Sequence, residues 1–323
     1  MRSLLGVNLP YFYGSYGHDL APSARWPDWP CDFDVFAAYR PLLEAKEIGL
    51  DAVRIWLCEG AEGLLLGPDG RVTGPHPKLL ESIRMLEEGA RVNGVRIYWT
   101  LLDANAASRD GDLITRSILG GGDDAERFAE RVVRPIARAL DATVTVALEI
   151  VNEPEVVTDS CKDVRAESVP SLSWEHVGRA IGLARSAAVA ERAELLVTSG
   201  TGHVFLPKLW ASGAGLTAID IHMYHPEGGL PSRADLAAII GDPRAEDLPL
   251  IAGECGVPKP CDDPGAALRN YVINADKSGY DAAFLWKLEG DLIDPKAKGR
   301  PCTETARTLS AALKTRPGGG FAA

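Results

Sequence analysis

No run of apolar residues in this 323-residue chain approaches the roughly 20 that a bilayer-spanning helix needs. The opening Met1-Arg2-Ser3-Leu4-Leu5-Gly6-Val7-Asn8 has too short an apolar run for a signal peptide and reads as a first strand. Taken as written, the chain is expected in the cytoplasm; a chain whose secretion signal had been removed would read the same. Cationic excess is missing too. A net charge of -11 and a pI of about 5.1 disfavour nucleic acid or an anionic membrane as partner and suit a neutral small molecule or polymer. The six cysteines (Cys31, Cys58, Cys161, Cys255, Cys261, Cys302) contain no Cys-x-x-Cys, which excludes zinc-ribbon and thioredoxin-type motifs. They are expected mostly as free or buried thiols, with a disulfide between loops open for an exported protein. Gly6-Val7-Asn8-Leu9-Pro10 is not the Gly-rich phosphate turn of a dinucleotide fold, and there is no Walker A motif or H-E-x-x-H.

What is present is an alternation. With 46% hydrophobic residues the chain can build a sizeable core. Eight short apolar runs read as strands: Leu4–Leu9, Ala52–Leu57, Val95–Leu102, Val144–Val151, Glu194–Thr198, Leu216–Met223, Leu248–Ala252 and Ala282–Trp286. Their near-continuous hydrophobicity suits parallel strands covered on both faces. Helical patterns separate them, over Phe33–Ile48, Pro77–Val92, Ala125–Leu140, Trp174–Ala190, Phe205–Trp210, Ala234–Ile240, Pro264–Lys277 and Thr303–Lys314. Eight strand–helix units predict one α/β domain, a (β/α)8 TIM barrel over residues 1–316 followed by a loose tail over 317–323. A doubly wound sheet is the alternative.

In such a barrel function gathers at the carboxyl ends of the strands. Asn8 and Tyr11 stand after the first strand and Arg54 lies in the second. Trp99 and Asp103 close the third, Asn152-Glu153-Pro154 the fourth, His222-x-Tyr224 the sixth, Glu254 the seventh and Trp286 the eighth. Plainer readings stand beside each of these. Strand-end carboxylates can face water, Arg54 can pair with another carboxylate, and His222, Tyr224 and Trp286 can be core groups. Trp26 and Trp29 read as an outer sugar subsite or as a Pro-braced lid, and Asp103 and Glu289 as substrate contacts or solvated carboxylates. His225 beside His222 invites a metal, but no third ligand is apparent and none is expected.

The set Arg54, Asn152-Glu153-Pro154, His222-x-Tyr224, Glu254 and Trp286 resembles the retaining β-glycosidases of glycoside hydrolase clan A, most closely family 5. Asn-Glu on the fourth strand with a second Glu on the seventh carries the resemblance. It implies a cofactor-free double displacement, with Glu254 as nucleophile and Glu153 as acid/base. It further implies that Arg54 and Tyr224 hold Glu254, that Asn152 binds the sugar 2-hydroxyl, that His222 lines the site and that Trp286 stacks on a sugar ring. Repulsion from Glu254 is expected to hold the Glu153 acidity up. The stretch Tyr98-Trp99-Thr100-Leu101-Leu102-Asp103 lacks the histidine many family 5 cellulases carry there, which favours a β-mannan over cellulose. The expected partner is a neutral β-linked oligo- or polysaccharide, β-mannan or β-glucan, with no nucleic acid, no membrane and a monomeric chain. Alternatives are a catalytically silent barrel binding glycan or protein, a biosynthetic transglycosylase using the same site, and a metal-dependent barrel enzyme.

Overall fold

The structure, a computed structural model, describes residues 3–12, 16–31, 33–161, 169–259 and 261–314. The tail expected over 317–323 lies outside the described residues. Eight strands are laid down in chain order: β1 (Leu4–Leu9), β2 (Ala52–Trp56), β3 (Arg96–Asp103), β4 (Thr145–Asn152), β5 in two short pieces (Val197–Thr198 and Thr201–Gly202), β6 (Ile219–Tyr224), β7 (Leu250–Gly256) and β8 (Ala282–Leu285). Each pairs in parallel with its sequence neighbours, and β1 also pairs with β8. The first piece of β5 lies on β4 and the second on β6, so the ring closes as a (β/α)8 barrel. The sequence places all eight strands; it does not place the break in β5, where Ser199-Gly200 carries no apolar pattern.

Inside the ring, Ala52, Tyr98, Ala147, Ala218, Ile251, Ala282 and Phe284 pack as a plug separate from the larger core between sheet and helices. The helices of that outer layer begin and end where local chemistry allows. Asp34 accepts from the Phe36 N–H to start Val35–Ile48, and Gly49 ends it in a left-handed conformation at φ 101°. Ser232 and Asp235 form a reciprocal cap on Arg233–Ile240. The expected helix over 125–140 is a run from 123 to 139 interrupted by a π-helical stretch, Ala129–Val133. A helix at Leu113–Leu119 and a hairpin of Leu64–Leu66 with Val72–Pro75 add to the expected elements. No helix among the described residues is long and apolar enough to cross a membrane.

One irregularity decides which way Glu254 points. The β6–β7 register slips between Ala252 and Glu254, a bulge at Gly253. Strict alternation from the inward Ile251 would turn Cys255 into the barrel. The extra residue shifts the alternation by one, so Cys255 joins the outer core and Glu254 faces the interior. Gly253 is held there by its N–H donating to Asp220 (2.7 Å) and its carbonyl accepting from Asn8 (3.0 Å).

Candidate active site

Arg54 occupies the centre of the carboxyl end, fully buried. Nε donates to Glu149 Oε2 (3.0 Å), one terminal nitrogen to Asn8 Oδ1 (2.8 Å) and Glu254 Oε1 (2.9 Å), and the other to Glu149 Oε2 (2.5 Å) and Asn152 Oδ1 (2.7 Å). A guanidinium has five N–H groups, and these five contacts use them all. Its flat face lies 4.1 Å from the Trp56 ring centroid. Burial disfavours the cation, and Glu149 and Glu254 outweigh that to raise its pKa. Arg54 therefore touches side chains rather than substrate, and the same holds for Asn8, which is fully buried and tied to Gly253, Phe284 and Leu285 carbonyls. Arg54 holds Glu254, and Asn8 holds Arg54 and the Gly253 carbonyl.

Glu254 takes Arg54 on one oxygen and the Tyr224 hydroxyl on the other, at 2.8 Å. Glu153 is held in another way. At φ 50°, ψ 56° its backbone is left-handed, a conformation that costs a non-glycine residue on the order of 1 kcal/mol or more. The bond from its N–H to the Gly200 carbonyl (2.9 Å) and the following Pro154 fix that turn. The turn swings the carboxylate towards Asn105 Nδ2 (2.8 Å) and His222 Nδ1 (3.3 Å). His222 Nδ1 also stands 3.8 Å from Glu254 Oε2, and ligand atoms of Glu153, His222 and Glu254 all lie within 4.8 Å of one another. Gly200 permits this approach, since a Cβ there would lie 2.1 Å from His222 Nε2.

These contacts pull the Glu153 carboxyl in both directions. Burial does raise the Glu153 carboxyl, but the hydrogen bond and charge of His222, with Asn105 and Arg54, bring it down to about 2. His222 moves the opposite way: burial lowers it, while Glu254 and Glu153 raise it to about 10. Each shift has the other group among its causes.

Asp103 does not face open solvent as a contact. Its Oδ1 accepts from Asn152 (3.0 Å) and twice from Asn105, so it orients the amides that touch Arg54 and Glu153. Burial raises its carboxyl to about 6. Asn152 keeps one N–H uncommitted. Trp286 is half-buried on the rim, edge-to-face with Trp56 (6.2 Å). Beside it a cleft of about 940 Å³ is lined by Tyr224, Trp286, Lys287, Leu268 and Asp291. Tyr11 is half-buried, with Lys287 Nζ 6.0 Å from its ring centroid. Trp26 and Trp29 stack on each other at 4.9 Å. Glu289 pairs with Arg300 at 2.6 Å, and His225 Nδ1 accepts from the Glu227 and Gly229 N–H groups as a turn brace.

Trp99 is the residue the structure removes. It is fully buried in the outer core, its indole N–H on Thr145 Oγ1 (3.3 Å). Tyr98, one residue earlier, is the one that points inward, to a hydrogen bond with Asp220. Sequence reasoning missed Glu149, Thr100, Asn105, Trp56 and Asp220. Two had a signal: Glu149 is a lone carboxylate in the apolar run Val144–Val151, and Trp56 shares Arg54's face by period two.

No family model matches the chain, and no curated protein matches it in sequence. Solved structures do match its fold. The β-1,4-D-mannanase of Cryptopygus antarcticus is 19% identical over 98% of this chain and 91% of its own, with a TM-score of 0.71. The β-mannanase of the blue mussel Mytilus edulis is 18% identical over 99% and 93%, also at 0.71. A GH5_18 protein from Streptomyces cattleya, solved with Manβ1-4GlcNAc, is 17% identical over 98% and 82%, at 0.68. These likenesses show the (β/α)8 barrel fold.

Proposed function

We propose that the protein is a retaining glycoside hydrolase that cleaves β-mannosidic bonds in a neutral oligo- or polysaccharide. The observation that carries this reading is the pair Glu153 and Glu254, whose carboxylate oxygens approach within 4.8 Å across the barrel mouth. Retaining enzymes place their two carboxyl groups about 5–5.5 Å apart, and inverting ones about 6.5–9.5 Å to admit a water. In the first step the Glu254 carboxylate attacks the anomeric carbon, the glycosidic C–O bond breaks, and the leaving oxygen takes a proton from Glu153. In the second, Glu153 removes a proton from water, whose oxygen displaces Glu254. Arg54 and Tyr224 aim the nucleophile, and the remaining Asn152 N–H is available to the sugar 2-hydroxyl.

His222 supplies what the free site otherwise lacks. His222 Nδ1, 3.3 Å from Glu153, is placed to exchange with it the proton needed for the first step. That proton reaches the leaving oxygen through Glu153 as negative charge builds there. The mannoside preference draws on the mannanase neighbours, on the Manβ1-4GlcNAc bound to another, and on the missing histidine after β3. The test is hydrolysis of a panel of β-mannans, manno-oligosaccharides and β-glucans followed by proton NMR. The expected first product is the β-anomer from a mannose-containing substrate. An α-anomer appearing first would overturn retention, and turnover confined to glucans would overturn the sugar assignment.

A further inference from the structure

Away from Arg54 a second group of acids is buried in the same rim. Asp19 lies in the loop after β1; Glu59 and Glu62 lie in the loop after β2, and all three are at most 2% exposed. Oxygens from the three carboxyl groups lie within 4.8 Å of one another. Backbone groups supply their hydrogen bonds. Glu62 Oε1 accepts from the Leu20 and Ala21 N–H groups (2.5 and 2.6 Å), Asp19 Oδ2 from Phe12, and Glu59 Oε1 from Gly17 (3.4 Å). Glu62 Oε2 is buried and has no hydrogen-bond partner. Among the described residues no lysine, arginine or histidine forms an ion pair with any of the three.

Three carboxyl groups shut away from water without a cation are unstable as three charges. The two other acid clusters of this barrel differ in that respect. Glu149, Asp220 and Glu254 have oxygens already taken by Arg54, by hydroxyls and by backbone N–H groups, and those of Glu153 by Asn105 and His222. A positive guanidinium in their midst repels a metal. The Asp19–Glu59–Glu62 group has no such charge, and it leaves Oε2 of Glu62 open.

We propose that Asp19, Glu59 and Glu62 bind one hard divalent cation, calcium by its chemistry, which ties the loop after β1 to the loop after β2. The donor set is all oxygen, which disfavours zinc and copper. Oxygens up to 4.8 Å apart fit around a calcium whose ligands stand about 2.3–2.6 Å away in flexible geometry. The remaining positions fall to water or backbone carbonyls. The cation braces the rim on the side of Tyr11 and Asp103 and takes no part in bond cleavage. The site does not rest on the glycosidase reading, and its test needs no substrate.

The experiment is isothermal titration of the chelator-treated full chain with CaCl2, with MgCl2 as comparison, alongside thermal melting. The expected result is one calcium per chain, bound tighter than about 1 mM, and a melting point raised by roughly 3–5 °C in excess CaCl2. Trp26 packs on Gly17 and Gly60 beside the cluster, so terbium at the site is expected to luminesce on indole excitation and to be displaced by calcium. Glu62→Gln abolishes titration and melting shift alike; Glu59→Gln serves if that variant does not fold. No binding by the folded wild-type chain overturns the proposal, whatever the variants do. So does a Glu62→Gln or Glu59→Gln variant that binds as the wild type does, and an equal response to magnesium overturns the choice of calcium.

Discussion

Around Arg54, Glu149 and Glu254 are buried against one guanidinium whose five N–H groups are all engaged. In the neighbouring loops Asp19, Glu59 and Glu62 are equally buried, yet they lean on backbone N–H groups, and one oxygen receives nothing. In the first group every guanidinium N–H is placed, and Glu254 is held on one oxygen by Arg54 and on the other by the Tyr224 hydroxyl. The second has no cationic side chain paired with it among the described residues, and burial raises all three of its carboxyls above their ordinary range. A polar network fully satisfied by its own side chains can orient a nucleophile; one that is not is open to a ligand.

Removing the compensating charge is the strongest way to break this contrast. Arg54→Met leaves Glu149 and Glu254 buried without a cation, a loss of roughly 3–5 kcal/mol. Denaturant unfolding is expected to register that loss, with activity gone in the residual folded protein. An unfolding midpoint unchanged from the wild type would mean the network is not what holds the rim. Next in size is Glu153→Gln, expected to slow hydrolysis by about 10²–10⁴-fold. The loss should be least for substrates whose leaving group is an acidic phenol needing no proton, and a uniform loss across leaving groups would remove Glu153 from the acid role.

The pH profile sharpens the link between Glu153 and the network. In the wild type the pair keeps its proton until His222 titrates, raised to about 10, while Glu153 is held at about 2. His222→Asn removes the cation, so the proton must sit on Glu153 itself, whose burial raises it but whose range is that of a carboxylic acid. The basic limb of kcat/KM is therefore expected to move to lower pH in the variant. A limb that stays in place would mean His222 does not hold the proton. The smallest effect is expected from Trp99→Phe. It should cost about 1–3 kcal/mol of stability through lost packing and the Thr145 bond, with KM unchanged, as suits a residue outside the site.

The barrel was legible because each strand is buried on both faces, and only a near-continuous apolar run can be. The strand-end residues were legible because a carboxylate or an amide closing such a run has few structural reasons to be there. What escaped depends on geometry that periodicity does not carry. In Arg96–Asp103 the neighbours Tyr98 and Trp99 point to opposite faces, and the sequence does not say which is inward. Glu254 faces the interior only because of a bulge at Gly253, and Glu153 turns aside through a left-handed backbone that a strand pattern cannot announce. Asp19 meets Glu59 and Glu62 through loop packing alone, with the helix Val35–Ile48 and the whole of β2 between them in the chain.

The most direct measurement is covalent trapping. The chain is incubated with 2-fluoro-β-mannosyl and 2-fluoro-β-glucosyl donors carrying good leaving groups, then digested and mapped by mass spectrometry. A glycosyl adduct on Glu254 is expected, formed faster from the mannosyl donor. An adduct on another carboxylate, or hydrolysis of the donor with no adduct on Glu254 at any time, would contradict the assignment of Glu254 as nucleophile.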